Sequence, residues 1–190
     1  RNKSNFVILD SSRINSGNFD ENIFGILKNG EVAKGYLEKA NNGTLFIDNV
    51  NDLPLDVQNK ILRVITDQRF KRLNDTTDIK VNFRLIASSS INLKKEVSEG
   101  NFREDLFHRL NVVPIELTSL TARTEDIPLL IDYFKNKLSE INGVQQPNID
   151  IKNDNLYTYN WPGNVRELRN LVERVTILSA NESKENINKL

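Results

Sequence analysis

The sequence predicts an α/β domain built on a mostly parallel sheet, followed by a smaller all-helical unit. Three observations carry this. Short apolar runs, FVILD (6–10), TLFID (44–48) and VVPIEL (112–117), read as core strands of a mostly parallel sheet. Segments of helical period stand between and beyond them, and such alternation argues for parallel strands covered by helices on both faces. After Leu120 the strand pattern stops and only helical stripes remain. A length of 190 residues suffices for one α/β part and an appendage. The expected division is 1–120 for the α/β core and 121–190 for the helical part.

In order along the chain, FVILD is a buried strand, and a polar, Gly-containing stretch from SSRINSGN to IFGILKNG follows it. GYLEKANNG (35–43) reads as a short helix stopped by Asn-Gly. TLFID is the second strand. In NDLPLDVQNKILRVITDQ, Asp52 is placed to cap a helix and Pro54 suits its first turn, while Val57, Ile61, Leu62, Val64 and Ile65 form one apolar face. RFKRLNDTTDIKVNFRLIASSS gives a strand, an Asn-Asp turn and a longer strand. NLKKEVSEG reads as a helix ended by Gly100, NFREDLFHRL as another, and VVPIEL (112–117) as a further core strand. Beyond Leu120, Ile127, Leu130, Ile131, Phe134 and Leu138 make one helical stripe. Val165, Leu168, Leu171, Val172, Val175 and Leu178 make another, opened by Asn164 with Glu167 three residues on, a capping-box arrangement.

Composition excludes several function classes. Lys plus Arg equals Asp plus Glu at 26 each, so no global basic field favours non-specific nucleic-acid binding. There is no Cys, which removes disulfides, thiol catalysis and thiolate metal sites and fits a reducing, cytoplasmic setting. His108 is the single imidazole, so His-rich metal sites and Ser-His-Asp catalysis are not expected. No apolar run reaches the ~20 residues of a membrane span, so no membrane partner is expected. With no Met at any position, the sequence is expected to be a segment of a longer polypeptide. The 27 Asn are scattered rather than in a tract, which reads as compositional bias.

GTLFIDNVNDLPLDVQNKILRVI, KVNFRLIAS, GNFREDLFHRLNVVPIEL and NWPGNVRELRNLVERVTIL resemble, in order and spacing, the AAA+ domain of bacterial sigma-54 activators, the NtrC-like family. The likeness covers almost the whole chain. NKILRVITDQ, the serines of RLIASSS and INGVQQP are similar to the NtrX branch of that family. The resemblance implies a P-loop NTPase core, N-terminally incomplete here, with a C-terminal helical lid. It also implies ATP and Mg²⁺ as cofactors and self-assembly as a ring or dimer with nucleotide between neighbours. DNA contact would run through a C-terminal domain outside this segment.

On the matched positions, Asp48 takes the Walker B role, a carboxylate at a strand end meeting Mg²⁺ through the nucleotide; the bland alternative is a strand-capping Asp. Arg103 and Arg109 match the paired arginine fingers supplied in trans. The alternative is a solvated helix with local pairs among Arg103, Glu104, Asp105 and Arg109. Arg166, in GNVREL, matches the sensor II arginine that reports on bound phosphates; otherwise it is a surface arginine near a helix N-terminus, an unhelpful place for a cation. His108 is assigned a packing or surface role.

The chain departs from its family at four points. No GxxxxGK(S/T) occurs, so the phosphate-cradling loop and its Lys would lie upstream of Arg1. Where the family has Asp-Glu, this chain has Asp48-Asn49, and an amide cannot accept the proton of an attacking water. Asp10 stands where the family usually has Asn, so the switch pair becomes Asp10 and Asn49 with acid and amide exchanged. Sensor I, usually Asn, is Ser90. The GAFTGA loop is absent, with only ILKNGEVAK between IFG and GYLEKA, so contact with sigma-54 RNA polymerase by the usual route is not expected. The expected function is the ATP-binding module of a two-component transcription regulator with weak or lost hydrolysis. The alternative is a degenerate oligomerisation scaffold without turnover.

Overall fold

The computed structural model describes residues 5–15, 17–143 and 145–179. Two compact units divide the chain, Arg1–Pro114 and Ile115–Leu190. The first contains β1 (Phe6–Asp10), α1 (Phe19–Phe24), β2 (Gly25–Lys28), β3 (Glu31–Lys34), α2 (Tyr36–Lys39), β4 (Thr44–Asp48) and α3 (Leu55–Asp67). It continues through β5 (Arg69–Phe70), β6 (Ile79–Lys80), β7 (Arg84–Ala87), α4 (Leu93–Ser98) and α5 (Glu104–Leu110). The second contains α6 (Ile127–Asn142), α7 (Asn155–Thr158) and α8 (Asn164–Ser179). Residues 180–190 and Val144, both within the expected lid, lie outside the described residues, as does Ser16 in the polar stretch.

The central sheet is parallel with order β1–β4–β7. Its register sets Asp10 opposite Asp48 and Ile47 opposite Ala87, so three chain segments leave the sheet at one carboxyl end. Leu9, Leu45 and Ile47 point to the buried face and join Val57, Ile61 and Val64 of α3 in the core. The other face is not covered among the described residues. Phe6 is 60% exposed, Ile8 55% and Ile86 40%, although Phe6 and Phe46 stack at 6.2 Å between ring centres. The expectation of fully buried strands covered on both faces is corrected to burial on one face. The continuous apolar character of FVILD reports what a covered sheet needs, and the described helices cover only one side.

VVPIEL is also corrected. Residues 112–117 form no strand, and Val112, Val113, Ile115 and Leu117 are each at least 73% exposed. Apolar content suits a strand, but a strand needs a neighbour to satisfy its backbone polar groups, and no described strand pairs with this one. The outer edge of β7 is likewise unpaired among the described strands. The longer strand expected to end at Arg84 to Ala87 is divided: β6 pairs antiparallel with β5, and β7 joins the central sheet.

The polar stretch that carried no sequence assignment holds α1 and an antiparallel hairpin, β2–β3. Its turn is Asn29-Gly30, both at positive φ (52° and 82°), the geometry of the tight two-residue turn that matches strand twist. At its base Gly25 and Gly35 touch; a Cβ on Gly35 would lie 2.4 Å from Gly25 N and from Ile23 O. Leu27 N donates to Leu73 O and Leu73 N to Gly25 O, each at 3.0 Å. Arg72, whose side chain is 13% exposed, bridges Glu38 (2.7 Å) and Asp75 (2.9 Å) beside this base.

α3 starts one residue after Pro54, which occupies the N-cap position, while Asp52 sits in a preceding 3-10 turn rather than capping. α4 is capped by Asn92, whose side chain accepts from Lys94 N at 3.0 Å, and ends before Gly100 at φ 77°. In the second unit, Ile127, Ile131, Phe134 and Leu138 of α6 pack with Leu168 and Val172 of α8 and with Trp161. Glu167 reaches back as a capping box requires, but to the N–H of Gly163 (2.8 Å), while Asn164 Oδ1 accepts from Val165 N. No helix among the described residues is long and apolar enough to cross a membrane.

Candidate functional site

The carboxyl end of the sheet gathers side chains from all three strands. Asn49, the first residue past β4, adopts a left-handed conformation (φ 54°, ψ 54°), one that Asn tolerates better than most residues. Its Nδ2 donates to Asp10 Oδ1 at 3.4 Å. Asp10 also accepts from the N–H (3.1 Å) and hydroxyl (2.6 Å) of Ser12, capping the 3-10 turn at 11–13, and pairs with Arg13 Nε at 2.9 Å. These contacts, the Ser12 hydroxyl foremost, hold the Asp10 carboxyl below the usual carboxylate range. The carboxylate is therefore fully engaged and is not presented as a proton acceptor.

Asp48 differs. The Ser88 hydroxyl donates to its Oδ1, and its Oδ2 accepts no hydrogen bond from the described residues. An open cleft of about 520 Å³ adjoins it, lined by Asp10, Arg13, Asn18, Asn22, Tyr36 and Asp48 among others. A hard cation such as Mg²⁺ takes oxygen ligands and keeps several waters, needing only one or two carboxylates beside substrate phosphates. One unengaged carboxylate oxygen at the strand end fits that requirement. Among the described residues no group of three or more His, Cys, Asp or Glu forms a self-sufficient metal site.

Of the serines after β7, Ser88 rather than Ser90 meets the cluster. Ser90 is exposed and forms no hydrogen bond with the described residues, and Ser89 donates to Ile91 O (2.8 Å) and lies 3.0 Å from Asn51 Oδ1. Sequence reasoning missed Ser88, Ser12 and Arg13; Ser88 directly follows the strand that pairs with TLFID, a pairing that no local pattern announces.

Arg103 precedes α5 and Arg109 lies on it, neither bonded to the strand-end cluster. Arg103 is the residue before the helix, and its guanidinium forks onto Asp105 through Nε (3.0 Å) and Nη2 (2.7 Å). Each partner favours the other's charge: Arg103 is raised above its ordinary range and Asp105 lowered, chiefly by their mutual hydrogen bonds. The local pairing weighed from the sequence is thus present for Arg103, whereas Arg109 is exposed and makes no ion pair with the described residues. His108 is exposed, 3.7 Å from Glu104 and edge-on to Phe107.

Gln58, another residue sequence reasoning passed over, fixes where α5 begins. It is wholly buried in α3, donates to Leu53 O (2.7 Å) and Asn101 O (3.2 Å), and accepts from Arg103 N (2.8 Å). In the second unit, Arg166 projects from the first turn of α8, exposed and without a hydrogen bond to the described residues.

Two family models match in tandem, a sigma-54 interaction domain over residues 1–116 and an AAA+ ATPase lid domain over 121–188. NtrX of Azorhizobium caulinodans is 39% identical over 93% of the chain, and NtrC of Proteus hauseri 38% over 93%. Crystal structures of NtrX from Brucella abortus in complex with ATP and with ADP are 40% identical, each with a TM-score of 0.89 over 97% of the chain. The chain spans about 40% of the length of the curated relatives and 42–43% of those crystallised chains. A parallel α/β core with a polar cluster at its strand ends, followed by a helical lid, defines an AAA+ module. The chain belongs to the sigma-54 interaction domain family, to which regulators of the NtrX and NtrC type also belong.

Proposed function

We propose that the chain is the nucleotide-binding AAA+ module of a cytoplasmic two-component transcription regulator of the NtrX type, assembling with its own copies and hydrolysing ATP poorly. The observation that carries the reading is the strand-end arrangement: an available carboxylate, Asp48, stands beside an amide, Asn49, that is bonded to the engaged acid Asp10. Asp48 is the residue to hold Mg²⁺, which when bound to nucleotide neutralises phosphate charge. Asn49 orients neighbours but cannot take a proton from water, and Asp10 is committed to Ser12, Arg13 and Asn49. Hydrolysis therefore lacks a general base at this end of the sheet. Asp10 and Asn49 form an altered switch pair in which the hydrogen bond is kept while the carboxylate is moved.

Support for nucleotide binding comes from the ATP and ADP complexes of the Brucella NtrX neighbour. The unpaired edge of β7 and the open apolar face of the sheet are what one preceding strand and helix would cover. The turn between such elements falls at the carboxyl end of the strands, where α/β sheets bind phosphates. The short β2–β3 hairpin, with exposed Glu31 and Lys34 on its edge strand, stands where the family's sigma-54-engaging insertion would be, so the polymerase is not the partner read here. DNA is reached through a further domain. In this reading Arg103 and Arg109 serve a neighbour's nucleotide, and Ser90 and Arg166 sense phosphates in the closed assembly.

The test uses the full-length protein: fluorescent-ATP affinity, oligomer size with and without nucleotide, and turnover, for wild type, Arg103→Ala and Arg109→Ala. The expected result is retained nucleotide binding with at least a ~10-fold loss of the residual turnover in each variant. Turnover that is present and indifferent to both changes removes the finger assignment, and a wild type without measurable ATP binding favours the scaffold reading instead.

A further inference from the structure

We propose that Ser88 is a positioning residue for Asp48, engaging one carboxylate oxygen so that the other is left as the protein's ligand for a divalent cation. The inference rests on the nucleotide reading above. Backbone bonds hold Ser88 in place: its N–H donates to Ile47 O and its carbonyl accepts from Val50 N, both at 2.9 Å. Its hydroxyl accepts the N–H of Asn49 at 3.3 Å and donates to Asp48 Oδ1. The Asn49 N–H meets the hydroxyl oxygen as a donor, so the hydroxyl's single proton serves the one acceptor it reaches, the Asp48 carboxylate.

One hydroxyl thereby ties together the ends of β4 and β7 and sets the Asp48 side chain, while Asn49 continues the connection to Asp10 on β1. Neither neighbouring serine replaces it, since the Ser89 hydroxyl meets Ile91 O and Asn51 Oδ1 and Ser90 has no bond to the cluster among the described residues. A ligand whose orientation is set by an outer hydrogen bond binds metal more tightly than a free one, because less freedom is lost on coordination. Ser88 itself does not touch the cation.

The test is a titration of fluorescent-ATP binding to the full-length protein against Mg²⁺ concentration, with a parallel measurement in chelator. Ser88→Ala is expected to raise the Mg²⁺ needed for half-maximal enhancement about 10-fold, leaving metal-free nucleotide affinity unchanged. Ser88→Thr, which keeps a hydroxyl, is expected to stay near wild type. The inference is overturned if Ser88→Ala leaves the Mg²⁺ dependence unchanged, or if it weakens metal-free and Mg²⁺-bound binding equally, which marks a purely structural role. A wild type that binds nucleotide without any response to Mg²⁺ also overturns it while sparing the nucleotide reading. A wild type that binds no nucleotide overturns both.

Discussion

The strand-end cluster and helix α5 carry functional candidates of opposite kinds. At the strand ends, Asp10, Asn49, Asp48 and Ser88 are joined within one chain by hydrogen bonds that the sheet register imposes. At α5, Arg103 before the helix is occupied by Asp105, and Arg109 is exposed without an ion pair among the described residues. The backbone at the start of α5 is held by the buried Gln58. The difference teaches that the first region has its chemistry set before any partner arrives. In the second, the start of the helix is fixed by Gln58, one arginine is tied to Asp105, and the other is exposed.

Breaking the anchor of α5 carries the largest expected effect. Gln58→Leu keeps the volume but leaves Leu53 O, Asn101 O and Arg103 N without their partner. Unsatisfied buried groups cost ~1–3 kcal/mol each, and with partial relaxation the loss is roughly 3 kcal/mol. Urea unfolding should show this as a lower midpoint at unchanged slope; an unchanged midpoint would mean that α5 is not held from α3.

A smaller effect sharpens the contrast by pH. Asp10 and Asp105 both have folded-state values below those of an unfolded carboxylate, so their ionised forms add stability above the unfolded value of ~3.9. That contribution is lost as pH falls from about 4 through the depressed folded values. Asp10→Asn and Asp105→Asn together should flatten the acid limb of the stability curve, followed by urea midpoints from pH 6 downward. An acid limb as steep as in the wild type would contradict these assignments.

Much of this was legible in the residues. Helical stripes such as Val57, Ile61 and Val64 survive folding because a 3.6-residue period specifies which side is buried. FVILD and TLFID were found because an apolar run of five residues is too short for a typical helix and suits a buried strand. VVPIEL misled because apolar content states a preference for a neighbour without supplying one. The β2–β3 hairpin went unread although Asn29-Gly30 announces it, since its flanking strands are short and exposed and carry little periodicity. Ser88 and Gln58 were illegible for a deeper reason. Their roles come from register and from packing between segments 39 to 45 residues apart, which no local pattern encodes.

The central claim, that exchange of acid and amide between Asp10 and Asn49 is what limits hydrolysis, is tested most directly by reversing the exchange. ATP turnover would be measured for the full-length wild type and for Asp10→Asn combined with Asn49→Glu, at matched nucleotide occupancy. A restored general base contributes ~10²–10⁴-fold where it is well placed, so a rise of at least about 10-fold is predicted. Equal turnover in the two proteins, with both folded and both binding ATP, would contradict the account.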